Sequence, residues 1–470
     1  MKMEVPYTLK VLEQSQVSPP SGSVPQTSLP LTPFDIQWLM FSPVQHIFFY
    51  KFPYSTIHFM DTILPNLKHS LSVTLQHFYP LAGNLTWLPQ SNEPEILYVD
   101  GDSIMFTVAE SDYDFSSICG YHSRNNNEFY PLLPQLEPTS KTVLPLLALQ
   151  VTIFPNSGIC IGITFNHAVA DGKSYNHFMK SWASVCRLGG KDTSLILESL
   201  PVCDRTMIMD PMGFAISALK DMEMINISRQ SLIPSTELFT DPVVKVLATF
   251  VMVQSEIDRL KKWARELIIE KNKQTTEPPP NFSSFVVTCA YAWVCLIKAL
   301  GPNKDKPREH FICSVESRMH VEPPLPQTYF GNCLGTCHTT IDTIDLTDED
   351  GVAVAAEAIT KGIKTAMIME SSAGSDMKMG DFFKMESERI ISVAGSPILR
   401  FYDTDFGWGR PTKVDIVSIC DTGAISLSER RDGEAGLEVG LSLKREEMKV
   451  FASLFSAGPV LGFWLPKANL

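Results

Sequence analysis

Leu147-Ala148-Leu149-Gln150-Val151-Thr152-Ile153-Phe154-Pro155-Asn156-Ser157-Gly158-Ile159-Cys160-Ile161-Gly162-Ile163-Thr164-Phe165-Asn166-His167-Ala168-Val169-Ala170-Asp171 is the stretch on which the reading of this chain turns. Two apolar runs, 147–154 and 159–165, flank Pro155-Asn156-Ser157-Gly158, which spells strand, turn, strand. The second run delivers a histidine at its end, and Gly172-Lys173-Ser174 then opens a helical pattern that lasts to Cys186. A general base needs a rigid, partly desolvated setting within reach of a substrate proton. His167 is therefore a candidate base, with a buried structural histidine as the equally open alternative. The chain carries its own control: His338-Thr339-Thr340-Ile341-Asp342 repeats the His-x-x-x-Asp spacing but runs into an acidic segment, 343–350, without a rigid setting.

Working outward, helical spacing predicts helices over 62–79, ended by Pro80 and Gly83, and over 255–271, 285–300, 351–370 and 445–456. Strands are expected at 96–99 and 103–108, joined by the hairpin-like Asp100-Gly101-Asp102, and again from 413 to 443. The Pro/Ser-rich segment 15–30 reads as an exposed extended arm, and 274–280 as a polar, Pro-rich loop. Long helices mixed with paired strands make the class α/β with mixed sheets. At 470 residues two domains are the default. The expected division is 1–200, a crossover over 201–235, and 236–470, with about 385–412 packing against the first domain.

Composition excludes several functions. A net charge of −13 opposes nucleic-acid binding, which needs clustered Lys and Arg. No apolar run reaches the length of a membrane span, and the N-terminus lacks a secretory apolar core, so a cytoplasmic protein is expected. The ten cysteines stand singly and read as reduced, buried small hydrophobes. Cys333, Cys337 and His338 lack the second ligand pair of a zinc site, so no metal is expected. Asn84, Asn226 and Asn281 begin glycosylation sequons that a cytosolic protein leaves inert. Gly172-Lys173-Ser174 has the tail of a phosphate loop, but His167 occupies the upstream glycine position. Neither a Gly-x-Ser-x-Gly elbow nor a Gly-x-Gly-x-x-Gly fingerprint occurs.

Asp171 either orients His167, as in hydrolase triads, or holds the loop by a helix-start or ion-pair contact. Asp405-Phe406-Gly407-Trp408-Gly409 places an indole between glycines, where the backbone bends closely. Its N–H can donate into a buried site, or the ring can simply pack at a domain junction.

Asn166-His167-Ala168-Val169-Ala170-Asp171-Gly172 and Asp405-Phe406-Gly407-Trp408-Gly409-Arg410-Pro411 resemble, in order and separation, the paired signature of plant acyl-CoA-dependent BAHD acyltransferases. Tyr329-Phe330-Gly331-Asn332-Cys333 resembles a third motif, typical of the subgroup acylating anthocyanins and other flavonoid or phenolic glycosides, within which malonyltransferases look closest. Phe78-Tyr79-Pro80-Leu81-Ala82-Gly83 and Pro323-Pro324-Leu325-Pro326 extend the likeness over the chain. Two positions depart from the family. Asn166 replaces a frequent second histidine, and Glu316, Arg318 and His320 stand where an aspartate and two arginines are common.

The resemblance implies two similar chloramphenicol-acetyltransferase-like domains with mixed sheets flanked by helices, and an active-site channel at their interface. It implies His167 as general base on a sugar hydroxyl, direct attack on the thioester without an acyl-enzyme, and Trp408 N–H as oxyanion donor. Asp171 would support the loop by pairing with Arg318, while Gly172, Asp405, Phe406, Gly407 and Gly409 would shape the motifs. Acyl-CoA, with malonyl-CoA first, is the expected co-substrate and no cofactor stays bound. Ser283, Ser284 and Lys173 are its candidate contacts, and the acceptor is a flavonoid or other phenolic glucoside. Two alternatives stand beside this: a hydroxycinnamoyl- or acetyl-CoA-dependent transferase on another alcohol or amine, and a catalytically silent binding protein. A monomer without nucleic-acid or membrane partners is expected.

Overall fold

Strands that are apolar on both faces settle only in a sheet covered on both sides. In the computed structural model, which describes residues 7–88, 90–190, 194–233, 244–271, 280–301, 307–369 and 388–458, the two diagnostic runs do this. Numbered along the chain, they are β9 (Leu147–Phe154) and β10 (Gly158–Phe165), buried at every position and paired antiparallel through the predicted turn. They form the middle of a six-stranded sheet. Its order is β1 (Leu9–Val17), β6 (Ile104–Ser111), β9, β10, β3 (Val44–Lys51) and β15 (Lys413–Ile416). Helices Leu64–His77 and Gly172–Arg187 pack against each other over it.

A second, seven-stranded sheet runs β13 (Leu334–Asp342), β12 (Arg308–Glu316), β14 (Arg389–Ala394), β16 (Ile425–Glu429), β17 (Gly436–Leu443), β11 (Val246–Val253) and β7 (Arg124–Asn125). Parallel pairs occur within both large sheets, so both are mixed. Helix Ser284–Leu300 is buried over most of its length beneath Gln254–Lys271, Gly351–Met369 and Arg445–Ser456. A hydrophobic core accompanies each large sheet.

The halves exchange strands. β15, from the C-terminal half, pairs with β3 in the first sheet, and β7, from the N-terminal half, pairs with β11 in the second. Buried charges lock this exchange. Asp415 on β15 lies 2.9 Å from Arg124 Nη1 on β7 and 3.0 Å from Lys413 Nζ, with Glu438 of β17 at 3.7 Å from the same lysine.

Three local expectations are corrected. Segment 15–30 is no free arm: Leu9–Val17 pairs with β6, and β2 (Thr27–Pro30) pairs with β5 (Glu95–Tyr98). β5 and β6 are not a hairpin although their link turns tightly, with Asp102 N donating to Val99 O at 2.9 Å. β5 joins a four-stranded sheet with β2, β4 (Asn84–Thr86) and β8 (Val143–Pro145), while β6 finds β1 and β9. The helix expected over 62–79 begins as a π-helical turn, Phe59–Ile63, before Leu64–His77. The Pro-rich loop at 274–280 lies, except for Pro280, outside the described residues.

Burial alone would raise the Asp415 carboxyl, but Arg124 and Lys413 reverse this and hold it below its ordinary value. Its stabilising contribution is complete above the unfolded pKa near ~4 and fades as pH falls below that. Asp415→Asn leaves Arg124 buried without its anion and Lys413 with Glu438 alone, so the urea midpoint should drop by the equivalent of about 3–5 kcal/mol. An unchanged midpoint would show that strand pairing alone holds the halves.

Candidate active site

After β10 the chain must leave the sheet, and Asn166 shapes the exit. Its Oδ1 accepts from Ala168 N at 2.9 Å and its carbonyl from Val169 N at 3.2 Å. The position that departs from the family thus has a backbone-shaping role. Asp171 ends the loop as the N-cap of helix Gly172–Arg187, accepting from Ser174 N at 2.9 Å. Its other oxygen lies 2.8 Å from Arg318 Nη2, and neither side chain is exposed. Arg318 also donates to the carbonyls of Tyr329 and Gly331 at 3.1 Å each, and Cys333 N donates to Asp171 at 3.2 Å. One ion pair thereby clamps 329–333, from the C-terminal half, onto the His167 loop. Of the two readings of Asp171, the structure supports the loop-holding one.

His167 stands at this seam, half-buried. Its imidazole stacks on Trp38, with ring centres 3.7 Å apart and planes 11° from parallel. Nδ1 lies 3.1 Å from Asn332 Oδ1, while Nε2 makes no hydrogen bond among the described residues. Burial lowers the imidazole pKa below 6.5, and the histidine's own backbone, Asp171, Asn332 and Asp35 oppose that shift. His46, on β3, is pushed down to about 3 by burial and by His167, so it stays neutral.

The sequence reading missed Trp38, Asn332 and Asp35. Asn332 lay inside a quoted motif without a role. Trp38 and Asp35 sit in a short segment, Pro33–Met40, where no spacing signals chemistry.

The other predicted residues fall elsewhere. Trp408 makes its ring contacts with Tyr50, Phe52 and Phe406 rather than with His167. Asp405 Oδ1 accepts from Gly407 N at 2.8 Å and Gly409 N at 2.9 Å, and both glycines have positive φ, +102° and +92°. That tight turn tucks Phe406 against Trp182 and sets Trp408 against Tyr50 and Phe52, with ring centres 5.6 and 6.0 Å away. Phe52 follows the last residue of β3, six residues after His46, which is roughly 20 Å at strand rise. Lys173 hydrogen-bonds Gln327 and lies 3.7 Å from Glu316 at the helix start. Ser283 caps helix Ser284–Leu300 by accepting from Val286 N at 3.2 Å, and Ser284 accepts from Lys261 Nζ at 3.0 Å. Next to them in sequence, Phe282 lines a cavity of about 460 Å³ together with Lys261, Lys262, Arg265, Asp258 and Glu266. Cys333, Cys337 and His338 form no metal-binding group among the described residues. All ten cysteines are free thiols, and none of the described helices is long and apolar enough to cross a membrane.

Two mixed sheets sharing strands, with a half-buried imidazole at their seam, define a two-domain acyltransferase of the chloramphenicol-acetyltransferase type. The chain belongs to the Transferase family, the BAHD acyltransferases, whose model matches residues 9–457. It is 38% identical to the malonyl-coenzyme A:anthocyanin 3-O-glucoside-6''-O-malonyltransferase of Dahlia pinnata, covering 96% of this chain and 97% of that one. It is 40% identical to phenolic glucoside malonyltransferase 1 of Nicotiana tabacum, over 95% and 98%. It is also 38% identical to an anthocyanidin 3-O-glucoside-6''-O-coumaroyltransferase of Arabidopsis thaliana, over 96% and 97%. Among solved structures, vinorine synthase superposes with a TM-score of 0.68 at 22% identity, covering 96% of this chain and 98% of that one.

Because Trp408 packs on Tyr50, Phe52 and Phe406, Trp408→Phe should keep kcat/KM within about three-fold, a shift of less than ~1 kcal/mol. It should also lower the thermal midpoint through lost packing. A kcat loss above a hundred-fold with unchanged stability would support the oxyanion role.

Proposed function

We propose that this protein transfers an acyl group, malonyl in the first instance, from acyl-CoA to a sugar hydroxyl of a flavonoid or other phenolic glucoside. His167 acts as general base. The observation that carries this is an imidazole whose Nδ1 is tied to Asn332, whose Nε2 has no hydrogen bond among the described residues, and whose pKa burial depresses. Nε2 takes the hydroxyl proton as the oxygen attacks the thioester carbonyl, then returns it to the departing thiolate. The imidazole hydrogen-bonds an amide rather than a serine or cysteine side chain, which supports direct transfer without an acyl-enzyme.

The coenzyme's phosphates belong at the cavity that Phe282 closes, where three cations outnumber Asp258 and Glu266. Lys261, Lys262 and Arg265 line it, and the N-terminus of a 17-residue helix adds its dipole. The two halves of the family likeness, malonyl and coumaroyl, are equally similar to this chain, so hydroxycinnamoyl transfer is the second reading.

Purified protein offered malonyl-, coumaroyl- and acetyl-CoA with a panel of phenolic glucosides should add one malonyl group preferentially, as read by mass spectrometry. Aromatic transfer alone would move the assignment to the second reading. His167→Ala should lower kcat by about 10²–10⁴-fold without unfolding the protein. A base must be neutral to act, so kcat/KM should fall only as pH drops through a value below 6.5. Lys261→Ala combined with Arg265→Ala should raise KM for acyl-CoA, and more at low salt, with kcat little changed. An unaltered KM would place the coenzyme elsewhere.

A further inference from the structure

We infer that Asn332 and Asp35 are positioning residues that set the tautomer of His167 and stabilise its protonated form, a role that Asp171 does not fill. The inference rests on the reading of His167 as base. Asn332 is fully buried, and its amide can be oriented from its contacts. Nδ2 faces two acceptors, Asp35 Oδ1 at 2.9 Å and the His167 carbonyl at 2.9 Å, so Oδ1 must face the imidazole. An amide oxygen 3.1 Å from Nδ1 requires that nitrogen to carry the ring proton, which leaves the Nε2 lone pair free.

Asp35 completes the chain of contacts. It also accepts from Asn332 N at 3.2 Å, and its second oxygen accepts from Thr32 N at 2.9 Å and Thr32 Oγ1 at 2.7 Å. Arg205 Nε lies 3.6 Å from that oxygen. The carboxylate is therefore held rigidly and pointed at the amide, never at the ring. Asp171, by contrast, spends its oxygens on Ser174 N, Cys333 N and Arg318.

An amide between carboxylate and imidazole suits the chemistry. A carboxylate directly on Nδ1 would raise the pKa of the ring further than a neutral amide does. With the amide interposed, the ring rests neutral. When Nε2 takes the hydroxyl proton, Nδ1 keeps its own, and the Asn332 oxygen, polarised by Asp35, stabilises the imidazolium that forms.

Nitrogen-15 NMR of histidine-labelled protein, with His167 assigned from the His167→Ala spectrum, should show its neutral form protonated on Nδ1. Asn332→Ala, checked for folding by circular dichroism and thermal midpoint, should lower kcat on the order of 10²–10³-fold. KM for both substrates should move by less than about three-fold, since neither residue binds substrate. The acidic limb of the pH profile should shift to lower pH, because an acceptor for the imidazolium is gone. A neutral His167 protonated on Nε2, or an Asn332→Ala enzyme with wild-type kcat and an unmoved limb, overturns the relay. If that variant fails to fold, the wild-type spectrum still decides. His167→Ala separates the two claims: if it remains active, the base assignment falls, whereas a dead His167→Ala beside a fully active Asn332→Ala sinks only the relay.

Discussion

The ion pair between Asp171 and Arg318 is the contact on which the site depends. Both side chains are wholly removed from solvent, and desolvating two such charges costs several kcal/mol each unless every polar atom is satisfied. Here they are: the carboxylate takes two backbone N–H groups besides the guanidinium, and the guanidinium takes carbonyls from Tyr329 and Gly331. Such a pair adds little net stability over an apolar substitute, but it fixes geometry. Its partners come from both halves of the chain, so it brings the His167 loop and the 329–333 loop into one register. The 3.1 Å contact between His167 and Asn332 is a consequence of that register.

Strand exchange serves the same end at larger scale. With β15 sewn into the first sheet and β7 into the second, neither half can rotate without breaking a ladder. The buried cluster of Arg124, Asp415, Lys413 and Glu438 sits where those ladders meet. A site built from two halves needs a rigid seam, since displacements near 1 Å at a reacting group weaken catalysis severely. The turn of Asp405 to Gly409 belongs to this scaffold: its Trp408 packs against Tyr50 of β3 and against Phe52.

Much was legible in the chain itself. Unbroken apolar runs at 147–154 and 159–165 admit only buried strands, and the apolar, helix-length run 285–300 admits only a buried helix. Those signals are local, because burial is written residue by residue. What misled was equally local. Asp100-Gly101-Asp102 turns the chain as a hairpin would, yet the strands beside it join different sheets, since pairing is decided by the faces available across the fold. The glycines around Trp408 are required by positive φ in a turn closed by Asp405, so by themselves they say nothing of a catalytic role.

His167 was visible by sequence because an apolar strand running straight into a helix start leaves a side chain exposed at a rigid edge, and that arrangement is contiguous. Its partners were not. Asp35, Trp38 and Asn332 are separated from it by more than a hundred residues, and nothing in their own neighbourhoods distinguishes them from capping or packing residues. The sequence by itself determined the mixed-sheet α/β class and the buried elements, and it singled out His167 as the candidate base. Only the tertiary structure decided which groups surround that imidazole, because a hydrogen bond between distant residues is set by how loops are clamped, not by any local pattern.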